Sequence, residues 1–138
     1  TPACAAVDAS GALVIGALAG VLCALSVGLK FKLGFDDSLD VVAVHLVGGI
    51  VGTVMIGFVG VDVGLFNGGG TEQLIKQIIG AGAVLGYSFI ATLIIGYAID
   101  KTIGLRVSKE VEVEGIDLKL HAESAYEMYS SSRGGSSL

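Results

Sequence analysis

Three stretches of this chain carry almost no charge, and each is long enough to constrain its surroundings. Residues 10–29, SGALVIGALAGVLCALSVGL, hold no charged side chain. Residues 41–61 hold His45 as their one acidic or basic group, and residues 77–99, in a span that starts near Glu72, again hold none. A bilayer core of ~30 Å takes about 20 apolar helical residues to cross. A lone apolar segment in lipid must also satisfy its own backbone hydrogen bonds, which makes helix the required form. The expected fold is therefore an all-α membrane protein with three transmembrane helices.

Composition agrees. Of 138 residues, 53% are hydrophobic and 15% charged, against roughly 25% charged in an average soluble domain. Mean hydropathy is +0.82. The formal net charge of -5 sits mostly outside the apolar stretches, and no basic stripe marks a nucleic-acid partner. Cys4 and Cys23 make no disulfide framework. The opening TPACAAVD lacks both an initiator Met and a basic leader, so the expectation is a start inside something longer rather than a signal peptide.

The connections orient the spans. Lys30 and Lys32 lie between the first and second, whereas VDVGLFNGGGTE, between the second and third, has no Lys or Arg. Lys101, Arg106, Lys109 and Lys119 follow the third. Basic residues gather on the cytoplasmic side. Hence residues 1–9 and 62–71 are expected outside and 30–40 inside, with spans at 10–29, 41–61 and 72–100. Residues 101–138 form a cytoplasmic tail whose serine-rich end, from about residue 130, has the composition of disorder. Phe31 and Phe35 fall at the headgroup level.

Each span repeats a pair of glycines four apart: Gly16 and Gly20, Gly48 and Gly52, Gly82 and Gly86. Small residues at that spacing let helices approach closely in lipid, so these six are candidates for helix packing.

His45 is the outlier. Helical spacing puts Val41, His45, Gly49 and Gly52 on one face. A charge at mid-membrane costs about 2.5–3.5 kcal/mol, which favours the neutral ring. A neutral ring has one donor and one acceptor nitrogen, and this span offers only Thr53 nearby. Either His45 bonds a neighbouring helix and does nothing more, or it lines a path for a small polar solute. A working partner would have to come from outside this chain. Asp36, Asp37 and Asp40, with Ser38, precede the second span as helix caps or, alternatively, as recruiters of cations. A lone His near Thr53 supplies neither nucleophile nor metal cluster, so no enzyme, cofactor or metal is expected.

DDSLDVVAVHLVGGIVG, residues 36–52, resembles the tenth membrane helix of the ammonium transporter family. TPAC resembles that family's loop after helix eight, SGALVIGALAGV its helix nine, and GLRV with EGIDLKLHAESAY its cytoplasmic tail. The similarity runs in order across the chain except for the serine-rich end. It implies an eleven-helix fold of which this is the last part, with the first ten helices in two inverted halves. It also implies a homotrimer in which each subunit has its own pore. Ammonium loses its proton at an outer vestibule, and ammonia passes a hydrophobic lumen holding two adjacent histidines. His45 matches the second of these and Val41 a pore-wall position; the first belongs to helices outside the chain. Asp117, His121 and Tyr126 match the regulatory tail, which leans on a neighbouring subunit at the face where PII-type signal proteins bind. Departures are Leu46 where many members have Gly, Ser38 for a Pro, Lys119 at a phosphorylated Thr of plant members, and Ala122 for Gly. The implied function is the C-terminal portion of a cell-membrane ammonium/ammonia channel, inactive without the remaining helices. A small non-transporting membrane scaffold that assembles through its glycine faces is the alternative.

Overall fold

The computed structural model describes residues 1–123. They form helices and connecting turns, with no strand among the described residues. Three helical stretches, Ala9–Leu33, Val42–Val59 and Glu72–Thr102, are long and apolar enough to cross a membrane. The chain divides into two compact units, Thr1–Ile90 and the part beginning at Ala91.

In the first unit, α1 spans Ala9–Ser26 and is followed by the short α2, Leu29–Leu33. Asp8 starts α1. Its Oδ1 accepts from the Gly11 amide at 2.7 Å and from the Ser10 hydroxyl at 2.9 Å. The Gly11 amide is a donor that a helix start otherwise leaves unpaired. The Gly11 bond, then the Ser10 bond, holds the Asp8 carboxyl below its ordinary value. Gly34 ends α2 in the left-handed region at φ 70°, where its amide returns to the Lys30 carbonyl.

The second apolar stretch is not uniform. It opens as a π-helix over Val42–Val47 and continues as α3, Gly48–Val59. Both pieces pack on α1. The buried core is small: Ala3, Ile15 and Ile56, flanked by Ala6, Val7, Met55 and Val59, with Ala43 buried separately. The N-terminal segment is tied in by the Val61 amide donating to the Ala6 carbonyl at 3.0 Å. Most large apolar side chains point outward, Leu13 and Leu25 among them. Lipid or other protein can cover such faces at no solvation cost.

A compact turn follows α3. Asn67, in a 3₁₀ turn over Leu65–Asn67, donates to the Val59 carbonyl at 3.2 Å and the Gly60 carbonyl at 3.0 Å, closing the helix end. The Phe58 and Phe66 rings lie 5.6 Å apart beneath it. The third apolar helix, α4, is Glu72–Thr102; residues 72–90 belong to the first unit. Where it leaves the turn, Leu74 packs directly on Gly57.

In the second unit, α4 ends at Gly104, whose φ is 83° and whose amide donates to Ile99. Ser108 caps α5, Lys109–Glu114, and Arg106 pairs with Glu112 at 2.9 Å. A π turn over Asp117–His121 follows, with Lys119 paired to Glu114 at 2.8 Å.

Candidate functional site

His45 stands on the π-helical opening of the second apolar stretch. Its ring faces a pocket of about 430 Å³ lined by Ala19, Gly20, Cys23, Val44, His45, Gly48 and Gly49, together with Thr1 and Pro2. The wall is built from small and apolar groups, and the imidazole is its largest polar side chain. Among the described residues nothing hydrogen-bonds the ring, and His45 is exposed within this chain. Neither ring nitrogen therefore has a hydrogen-bond partner among the described residues, and His45 lines the pocket.

The lining departs in one respect from the face expected from spacing. His45 and Gly49 are on it, but Val41 and Gly52 are not; Val44 and Gly48 take part instead. A π turn closes i→i+5 hydrogen bonds rather than i→i+4 and inserts a residue into the turn. Val41, at the start of the π turn, is 47% exposed and does not line the pocket. Gly52 lies against Pro2, where a Cβ would come within 3.2 Å of the proline ring.

Close packing sets the pocket's inner edge. A Cβ on Gly48 would stand 3.1 Å from the Cys23 sulfur, and that thiol lies 3.9 Å from the Val44 carbonyl. Spacing did not single out Cys23, because an apolar run gives no sign of which small residue meets the next helix. A Cβ on Gly16, Gly20, Gly82 or Gly86 would meet nothing of another segment within 4 Å among the described residues. Among the described residues, Gly48 and Gly52 are the two of the six spaced glycines at which an added Cβ would meet another segment.

The acids before the π turn divide the work. Asp37 Oδ1 accepts from the Val41 amide at 2.8 Å and Oδ2 from the Val42 amide at 2.9 Å. Asp40 adopts φ 56°, a left-handed conformation that Asp tolerates better than most residues. Its carboxylate pairs with Lys30 at 2.7 Å. Asp36 is exposed on the same loop. Lys30 entered the sequence argument only as a charge that orients the chain; its pairing depends on α2 turning back toward residue 40.

Asp117 and His121 bound the π turn of the second unit, where the Asp117 carbonyl accepts from the Glu123 amide at 3.2 Å. Tyr126 and the serine-rich end lie outside the described residues. Among the described residues no group of three or more His, Cys, Asp or Glu is placed to hold a metal ion.

The chain matches the sequence pattern described as Ammonium Transporter Family over residues 1–126. It is 55% identical over 139 aligned residues to the ammonium transporter of Mycobacterium tuberculosis strain H37Rv, covering 92% of this chain and 29% of that protein. It is 43% identical over 133 residues to the ammonium transporter of Aquifex aeolicus, covering 93% and 31%. Against ammonium transporter Amt1 of Archaeoglobus fulgidus it is 40% identical over 130 residues, covering 91% and 33%. The chain spans about a third of the length of these curated relatives.

Proposed function

The chain belongs to the ammonium transporter family, and from that premise we propose that it supplies one wall of an ammonium/ammonia pathway across the cell membrane, with His45 as the polar group on that wall. The observation that carries this is the setting of His45: an imidazole with no partner among the described residues, at the edge of a pocket walled by glycine, alanine, valine and a thiol.

The chemistry follows from solvation. A small hydrated cation loses much of its solvation free energy on entering an apolar passage, whereas neutral ammonia loses far less. Ammonia still has hydrogen bonds to make. A neutral imidazole offers one donor and one acceptor on a stretch of wall otherwise made of glycine, alanine and valine beside a weakly bonding thiol. A second imidazole from helices outside this chain would complete a pair able to relay the released proton. Val41 serves as a wall residue one turn toward the Asp37 end. The protein acts as a transporter, not an enzyme.

The same reading assigns the rest of the chain. Basic residues at 30, 32, 101, 106, 109 and 119 put the first connection and the C-terminus in the cytoplasm. Gly16, Gly20, Gly82 and Gly86, with open space beside them here, pack against the remaining helices of the transporter and against neighbouring subunits of a homotrimer. Asp117, His121 and Tyr126 belong to a tail that contacts the neighbouring subunit and adjoins the docking face for a PII-type signal protein.

The test is His45→Ala in a full-length transporter carrying this sequence, reconstituted in liposomes. Methylammonium flux or its coupling to protons should change; if both stay at the unsubstituted level, His45 is not on the pathway. The 138-residue chain alone should give no flux above empty liposomes.

A further inference from the structure

The loop before the second apolar helix is held from one point. The Lys30 side chain is only 17% exposed, and its ammonium reaches two partners. It lies 2.7 Å from Asp40 Oδ1 and donates to the Asp37 carbonyl at 2.9 Å. Asp40 Oδ1 is buried and makes no hydrogen bond beyond this ion pair. The two acids then act on the helix start through different atoms. The Asp37 carboxylate takes the amides of Val41 and Val42. The Asp40 carbonyl takes the amide of Val44, the residue before His45, at 2.9 Å. The amides of Val41, Val42 and Val44 are thus each held by a residue that Lys30 grips.

Lys32 provides the contrast. It lies two residues away on the same short helix and is exposed, with no partner among the described residues. If the loop needed positive charge only for orientation, both lysines would face outward and stay hydrated. Holding Lys30 half-buried has a desolvation cost that its paired geometry must offset.

We propose that Lys30 is a positioning residue for His45: by holding Asp37 and Asp40 together it sets the register of the π turn, and so where the imidazole stands on the pocket wall. This rests on the reading of His45 as the polar group of the pathway. A π turn is an inserted residue within a helix, and its place along the chain is set by which amides are already committed at the start. Releasing Asp40 frees the left-handed residue that launches the turn. The i→i+5 bonds that follow can then shift to i→i+4 and rotate His45 away from Cys23 and Gly48.

The experiment uses a full-length transporter carrying this sequence, labelled on its histidine rings, with ring resonances read by NMR and methylammonium flux read in liposomes. Lys30→Met should displace the His45 ring resonances by more than a linewidth and lower flux roughly tenfold, the scale of effect expected when a reacting group is misplaced by a fraction of an ångström. Lys30→Arg should restore both, and Lys32→Met should move neither. Unshifted His45 resonances in Lys30→Met overturn the proposal even if flux falls, as does an equal shift in Lys32→Met. If Lys30→Met does not accumulate, Asp40→Asn, of the same shape without the charge, is read against the same two outcomes. Flux unaffected by His45→Ala would instead defeat the pathway reading, while the resonances still decide what Lys30 does.

Discussion

Gly57 and Leu74 meet so closely that a Cβ on Gly57 would stand 2.5 Å from the Leu74 Cα. The obstacle is backbone, which has no rotamer to give way. The crossing of α3 and the start of α4 therefore depends on the absence of a side chain at residue 57. Gly57→Ala should destabilise a full-length transporter by about 1–3 kcal/mol, the usual cost of overpacking. The thermal midpoint of the detergent-solubilised protein measures it. A midpoint equal to that of the unsubstituted protein would mean that the crossing is looser than the structure has it.

Asp37 binds two amides at the entrance to the π turn. Replacing a side-chain cap by alanine typically costs about 1 kcal/mol, and two bonds put Asp37→Ala at about 1–2 kcal/mol. Hydrogen exchange at Val41 and Val42 should accelerate first, with little change in the middle of α3. Uniform acceleration along the whole helix would count against a local cap.

Asn67 closes the other end of the same stretch through the carbonyls of Val59 and Gly60. It is exposed, so water replaces part of what is lost. Asn67→Ala should cost about 1 kcal/mol, whereas Asn67→Asp, which puts a carboxylate against two carbonyls, should cost more. Comparing thermal midpoints of the two variants checks the order.

Asp8 gives a pH dependence with a definite sign. Its carboxyl is held below the ordinary value of 3.8 by the Gly11 amide first and the Ser10 hydroxyl second. A depressed carboxyl stabilises the fold above its unfolded value, and that contribution disappears as pH falls through the lower folded value. Amide exchange at Gly11 should thus be insensitive to capping losses at neutral pH and show them only below about pH 3.8. Asp8→Asn should remove that acid-dependent step. If the step survives in Asp8→Asn, another group is responsible.

Much of this molecule was legible from hydropathy. Three apolar stretches became three helices long enough to cross a membrane, because burial in lipid leaves an isolated segment no other way to pair its backbone. Asp37 before the second stretch was also legible as a cap, since a carboxylate next to a helix start has free amides within reach. The identity of His45 as the odd polar group needed only the sequence. Its neighbours did not all follow, because helical spacing ranks the residues of one segment and carries no sign of which flank the next helix meets, in a stretch that opens with a π turn. The pocket beside His45 is lined by Val44, Gly48 and Gly49 rather than by Val41 and Gly52.

What the order of residues determined by itself was the membrane character, the number of helices long and apolar enough to cross and which side chains are chemically out of place, since these depend on composition along short windows. What only the tertiary structure decided was which distant residues meet: Cys23 beside Gly48, Leu74 on Gly57, and Lys30 on Asp40. Those pairings depend on how helices turn back on one another, and small differences in helix register move each contact by whole residues. Local pattern carries no record of that geometry until the backbone is placed in space.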